Sequence, residues 1–307
     1  MTNTGYWDLQ VNGYAGVDFN QDDLRLDDLE KSCEQMRADG VAGFLATIIT
    51  DDVDVMCGRL ETLAKHHRAS SLVAQMLLGL HIEGPFISSV PGYVGAHPQQ
   101  HARTAEPELA RKLLDSAGGL TRIVTLAPEC DPGMKATRLL ADAGVCVSAG
   151  HCNPSLDELR AAIDAGLRMF THLGNGCPSQ MARHDNIIQR VLYLAEHLWI
   201  GLIGDGIHLP YFVLENLLRC AGMDRCFLVS DAISAAGCGP GRYTIGGQEV
   251  CVDENLATWD AAQEHLFGSA CPLKLAIARL QSAVDIDAAS IATLVSTNPR
   301  RAIGLET

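Results

Sequence analysis

Gly79-Leu80-His81-Ile82-Glu83-Gly84-Pro85 ends an apolar run that begins at Leu72 and carries only Gln75 and His81 as strongly polar interruptions. A run that stops in a carboxylate and breaks at once on Gly-Pro reads as a buried parallel strand delivering one charged group to the end of a sheet. Three further segments close the same way. Val147-Ser148-Ala149-Gly150-His151 and Met169-Phe170-Thr171-His172 end in histidine, and Cys226-Phe227-Leu228-Val229-Ser230-Asp231 ends in an acid. One Glu, two His and one Asp, each ending its own apolar strand, make a metal-hydrolase constellation if the fold gathers them.

Working outward, strands are expected at 7–11, 41–47, 122–126, 145–149, 167–171, 198–203 and 226–230, besides the run that ends near Glu83. Helical spacing lies between them, as with Leu26, Leu29, Cys33 and Met36. A helix over 132–143 opens on a proline, and Ser155 is placed to cap one running to Asp164. Eight strands alternating with helices predict an α/β chain folded as one (β/α)₈ TIM barrel over residues 1–307. A hairpin insertion around Gly246-Gly247, within about 241–253, follows strand eight. A doubly wound sheet is the alternative. It wants a Gly-rich phosphate turn after its first strand, which Gly13-Tyr14-Ala15-Gly16 supplies poorly. The stretches 88–103 and 174–185 read as long loops, which in compact domains are usually functional.

The chain of 307 residues has 37 acidic against 23 basic residues, a net charge of −14, which argues against nucleic acid or an anionic membrane surface as partner. Eleven cysteines without a C-x-x-C read as reduced thiols in a cytoplasmic protein. The opening Met1-Thr2-Asn3-Thr4-Gly5 shows no secretory pattern, and no run approaches the roughly 18 apolar residues of a membrane helix.

In a barrel, strand C-terminal ends line one mouth. Gln10, Asn12, Thr47, Glu83, Glu129, His151, His172, Asp205, His208 and Asp231 all fall there. Glu83, His151 and His172 match a three-ligand catalytic metal site with one position open. Zn²⁺ suits imidazole plus carboxylate, and Fe²⁺, Mn²⁺ or Co²⁺ can substitute. A metal so held lowers the pKa of its water to near 7, and Asp231 would serve as general acid–base. Singly, each residue has a plainer reading: a strand-end histidine usually hydrogen-bonds, Glu83 could be a salt-bridge partner and Asp231 an N-cap. Their shared position is what argues for chemistry. His66-His67 reads as a solvated helix end. His97 and His101 have helical spacing, but Pro98 favours a loop over a metal pair. Cys152 and Cys177 read as packing residues, since neither has an activating neighbour in sequence.

At these residues the chain resembles the N-acetylglucosamine-6-phosphate deacetylases of the amidohydrolase superfamily. The resemblance is carried in order by Asp8-Leu9-Gln10-Val11-Asn12-Gly13, Leu80-His81-Ile82-Glu83-Gly84-Pro85, Gly95-Ala96-His97-Pro98, Leu126-Ala127-Pro128-Glu129, Ser148-Ala149-Gly150-His151, Thr171-His172-Leu173, Asp205-Gly206-Ile207-His208, Val229-Ser230-Asp231-Ala232 and Asn298-Pro299-Arg300-Arg301-Ala302-Ile303-Gly304. It implies Glu83, His151 and His172 as ligands of one divalent metal per subunit and Asp231 as the catalytic acid–base. Many amidohydrolases open with His-x-His, which holds a second metal. Here Gln10-Val11-Asn12 stands in its place, a vestigial second-metal position, because amides are poor zinc ligands beside imidazole. The resemblance further implies His97 in the substrate pocket, steadying the acetyl oxyanion or the sugar, and Asn175, Gly176, His208 and the Arg183-His184 pair in the sugar and phosphate region. The arginine would come from a neighbouring subunit, hence a homodimer.

The expected reaction is hydrolysis of the acetamide of N-acetylglucosamine 6-phosphate to glucosamine 6-phosphate and acetate. A related mononuclear amidohydrolase on another N-acyl amino sugar or cyclic amide, and a catalytically silent barrel, are the alternatives. The sequence departs from the family in three places. The small β-sandwich that the family builds from its terminal segments is expected to be absent or reduced to the Tyr243–Val252 hairpin. Gly174-Asn175-Gly176 replaces the usual aromatic followed by Asn-Ala, and the stretch from Pro178 to Ile188 follows a less common variant.

Overall fold

The computed structural model describes residues 5–245, 248–260 and 266–305. Eight parallel strands pair in strict chain order: β1 (Tyr6–Val11), β2 (Val41–Ile49), β3 (Leu77–Glu83), β4 (Thr121–Leu126), β5 (Cys146–Ala149), β6 (Leu167–Phe170), β7 (Trp199–Ile203) and β8 (Cys226–Val229). At least one helix lies between each successive pair, giving the expected (β/α)₈ barrel. Alternation along each strand divides its side chains. On β3, Leu80 and Ile82 pack into the main apolar layer, whereas His81 and Glu83 reach polar groups of other strands.

Two expectations are corrected. The run from Leu72 is not strand throughout: 71–76 forms a short helix, and β3 begins at Leu77. The Ser70 hydroxyl caps that helix by accepting from the Val73 N–H at 3.3 Å, and it donates to Glu30. A cap followed by Val73 and Met76 on one buried face outweighs apolar continuity. The helix expected from Pro132 opens instead on a 3₁₀ turn with left-handed Gly133 (φ 72°) and Met134 (φ 55°). Its α-helical part, Lys135–Asp142, is capped by the Asp131 carboxylate, which accepts from the N–H groups of Ala136 and Thr137. The Ser155 cap is present as a reciprocal box with Glu158.

The barrel closes just beyond the ends of β1 and β8. Val11 bridges Ala232, the Asn12 N–H donates to the Ala232 carbonyl at 2.7 Å, and the Asp8 carboxylate accepts from the Ser230 N–H at 3.1 Å. Asn298 ties the C-terminal helices to the start of β8 by donating to the Cys226 carbonyl at 2.6 Å. The insertion after β8 is larger than a hairpin. β9 (Gly241–Ile245), β10 (Gln248–Val252) and β11 (Thr258–Asp260) form an antiparallel sheet. Its Gly246-Gly247 turn lies outside the described residues. Ile245 and Val250 pack with Ile233 and Phe267 in a separate small core beside the barrel mouth.

Burial pushes the Asp8 carboxyl up to about 7 from 3.8. The folded protein therefore keeps a proton that the unfolded chain has lost between those values. Stability from this group is full below pH about 4 and falls as pH rises through about 7. Asp8→Asn keeps an acceptor for Ser230 without the buried charge. It is expected to melt several degrees above the parent at pH 8, with the gap closing at pH 5; melting curves at the two pH values check this.

Candidate active site

Three atoms able to ligate a metal converge where β3, β5 and β6 end. Glu83 Oε1 lies 3.0 Å from His172 Nε2 and 3.4 Å from His151 Nε2, and the two histidine nitrogens are 3.1 Å apart. Ligands bonded at about 2.0–2.1 Å around a tetrahedral ion lie about 3.3 Å from one another. The triangle therefore has the edge lengths of one metal's coordination shell. The His151 tautomer suits it: Nδ1 faces the Tyr93 carbonyl at 3.0 Å, which can only accept, so Nε2 keeps its lone pair for the site.

His97 competes for the same place. Its Nε2 is 3.2 Å from His151 Nε2, and Glu83, His97 and His151 also form a compact group able to hold an ion. His172 fits the third ligand position better, because its Nε2 lies 3.0–3.1 Å from the atoms of both others, whereas the close contact of His97 is with His151 alone. The Thr50 N–H donates to His97 Nδ1 at 3.4 Å, so the proton of the neutral ring sits on Nε2, which then donates rather than ligates. Burial and the neighbouring His151 bring His97 down to about 3, which keeps the ring neutral.

Burial alone would raise the Glu83 carboxyl, but its close contacts with the His151 and His172 rings outweigh it and hold the group well below the carboxylate range. Gln10 Nε2 donates to both Glu83 oxygens at 3.2 Å. Asn12 Nδ2 donates to Asp231 Oδ1 at 2.8 Å. The two amides are thus clamps on the site's carboxylates. Burial, and then the charge of Glu83, push Asp231 up to about 6. His151 (φ 50°), His172 (φ 33°) and Asp231 (φ 52°) all adopt the left-handed backbone that side chains other than glycine's rarely take. Strain of this kind costs on the order of 1–3 kcal/mol per residue and clusters at working sites.

These residues open into a cleft of about 140 Å³, also lined by Asn20, Asn175, Gly176 and His208. His208 is fixed through Nδ1, 2.8 Å from Asp205 Oδ2, which also accepts from the Ser269 hydroxyl at 3.0 Å. One wall is apolar and comes partly from the insertion, through Ile245, Leu266 and Phe267. Neither that wall nor Tyr93, which acts through its carbonyl, is legible in the residue pattern. Arg183 and His184 are exposed and do not line the cleft of their own chain. Glu129 binds the Asn153 N–H outside it, and His101 pairs with Asp51 rather than with His97. The Cys152 thiol is buried, and burial raises it well above the usual thiol range, as befits a packing residue.

No protein-family model matches the chain. It is 34% identical to the Homo sapiens N-acetylglucosamine-6-phosphate deacetylase, over 98% of this chain and 74% of that protein. The Escherichia coli O157:H7 N-acetylgalactosamine-6-phosphate deacetylase is 30% identical over 98% and 78%. A Mycobacterium smegmatis N-acetyl-D-glucosamine-6-phosphate deacetylase mutant, solved with N-acetyl-D-glucosamine-6-phosphate, matches with a TM-score of 0.88 at 27% identity, covering 98% of this chain and 77% of that one.

Glu83 is the only carboxylate in the ligand triangle. Glu83→Gln should lower bound metal at least tenfold in elemental analysis while the circular dichroism spectrum stays that of a folded barrel; full occupancy would remove Glu83 from the ligand set.

Proposed function

Since the chain belongs to the N-acetylglucosamine-6-phosphate deacetylase family, we propose that it hydrolyses the acetamide of N-acetylglucosamine 6-phosphate through Glu83, His151, His172 and Asp231. The observation that carries this assignment of roles is the triangle of Glu83, His151 and His172, with Asp231 in the same cleft. Zn²⁺ suits that donor set, with Fe²⁺, Mn²⁺ and Co²⁺ compatible, and a bound ion supplies Lewis acidity that polarises the acetyl carbonyl and acidifies the attacking water. Asp231 takes a proton from that water and hands it to the sugar nitrogen as the C–N bond breaks, so acetate and the free amine leave. Asn12 keeps the carboxylate aimed through both transfers. His97, with its proton on Nε2, donates to the acetyl oxygen as negative charge builds there.

Asn175, Gly176 and His208 receive the sugar phosphate. Among the described residues lining the cleft there is no Lys or Arg. A phosphate is best met by a guanidinium's paired donors. The family resemblance implies Arg183, exposed on the 174–186 loop, as the group that serves the cleft of a second copy in a homodimer. Eleven free thiols support a reducing, cytoplasmic setting. No helix among the described residues is long and apolar enough to cross a membrane.

The similarity to an N-acetylgalactosamine-6-phosphate deacetylase, together with Gly174-Asn175-Gly176 in the sugar region of this chain, favours a second reading in which the C4 epimer is the better substrate. Acetate release from the two N-acetylhexosamine 6-phosphates and from unphosphorylated N-acetylglucosamine decides. Faster turnover of the glucosamine epimer is expected, with little on the sugar lacking phosphate; no acetate from any of them rejects the assignment. Asp231→Asn should keep its metal and lose roughly 10²–10⁴ in kcat, the usual worth of general acid–base catalysis. Mixing inactive Asp231→Asn and Arg183→Ala protomers should restore activity if the arginine acts across the interface, and should not if it acts within its own chain.

A further inference from the structure

Below the ligand triangle, three polar residues on three different strands and Thr171, the residue that follows β6, have at most 3% exposure. His81 Nδ1 lies 3.2 Å from the Leu9 carbonyl and His81 Nε2 lies 2.7 Å from Thr125 Oγ1. Thr125 Oγ1 is 2.8 Å from Thr171 Oγ1, which is 2.7 Å from Ser148 Oγ. The direction of every link follows from counting hydrogens. A carbonyl only accepts, so His81 carries its proton on Nδ1. Its ring meets no carboxylate oxygen at hydrogen-bonding distance, so Nε2 accepts, and Thr125 must donate to it. The one hydroxyl proton of Thr125 is then spent, so Thr171 donates to Thr125 and, by the same step, Ser148 donates to Thr171. The weak alternative for Ser148, the Ala149 carbonyl at 3.4 Å, is thereby excluded. The chain runs one way, from Ser148 through Thr171, Thr125 and His81 to Leu9, and links β5, the end of the β6 segment, β4, β3 and β1.

Each of these strands except β4 carries a site residue directly above. His81 is two residues before Glu83, Thr171 immediately precedes His172, Ser148 is three before His151, and Leu9 precedes the Gln10 clamp. Two of the ligands sit on left-handed backbone, and a strained conformation persists only where its surroundings over-determine it. Thr171, held by two hydroxyl contacts and by its N–H to the Ala149 carbonyl at 2.8 Å, is the last fixed point before His172 turns. We propose that Ser148, Thr171, Thr125 and His81 are positioning residues that set the spacing of Glu83, His151 and His172 and so the affinity of the site for its metal. This rests on those three residues being the ligands.

The test uses the full chain with no substrate present, measuring retention of bound zinc against a competing chelator beside melting temperature and kcat. Partners behind metal ligands are typically worth roughly 10–100-fold in affinity or activity. Thr171→Val, which keeps the shape and removes the hydroxyl, should fold and lose zinc affinity by about that factor; Thr171→Ser, which restores the hydroxyl, should recover to within about threefold. Ser148→Ala, one link further out, should show a smaller loss in the same direction and stands in for Thr171→Val if that variant does not fold. Parent-like zinc retention in both hydroxyl-deleting variants overturns the proposal, as does a Thr171→Ser variant no better than Thr171→Val, which would assign the effect to the methyl group. A parent protein that takes up no zinc overturns the ligand assignment, and the network's role with it. A parent that holds zinc alongside indifferent variants overturns the network alone.

Discussion

The Glu83 carboxylate is 2% exposed, and an uncompensated buried charge costs several kcal/mol. Much of the site is a response to that one anion. Gln10 supplies donors to both oxygens, His172 and His151 face it, and their contacts hold it ionised against its own burial. Asp231 is affected from the same source, since the charge on Glu83 adds to burial in raising it. Two carboxylates in one cleft are thus driven apart in proton affinity. One is fixed as an anion able to ligate, and the other is left able to gain and lose a proton near neutrality.

The amides at Gln10 and Asn12 extend this division. Where histidines would bind a second ion, these side chains donate one hydrogen-bonding group to each carboxylate. They do part of the work of a second cation, orienting and stabilising negative charge, without its field. A neutral donor leaves Asp231 more basic than a nearby ion would, which suits a group that must accept a proton.

Much of this was legible because Glu83, His151, His172 and Asp231 each break an apolar run abruptly, and eight such runs in strict alternation with helices leave few architectures open. The Leu72–Ile82 run failed at its start because apolar continuity cannot tell a short buried helix from a strand; only the cap at Ser70 separates them. Tyr93 was unreadable because it fixes His151 with a backbone carbonyl that any residue would offer. Ile245 and Phe267 look like ordinary core residues, and their place on the cleft wall depends on how the insertion folds back over the mouth. Arg183 and His184 lie outside the cleft of their own chain, so nothing in the single-chain geometry ties them to the site.

That insertion divides the labour of the molecule along its sequence. The proton-transferring and ligating groups are anchored in the barrel, at strand ends bound to one another from below. The wall formed by Ile245, Leu266 and Phe267 belongs to a separate small sheet with its own core, joined after β8. Changes there can reshape one wall of the cleft while the strand ends that carry the polar groups keep their places in the barrel.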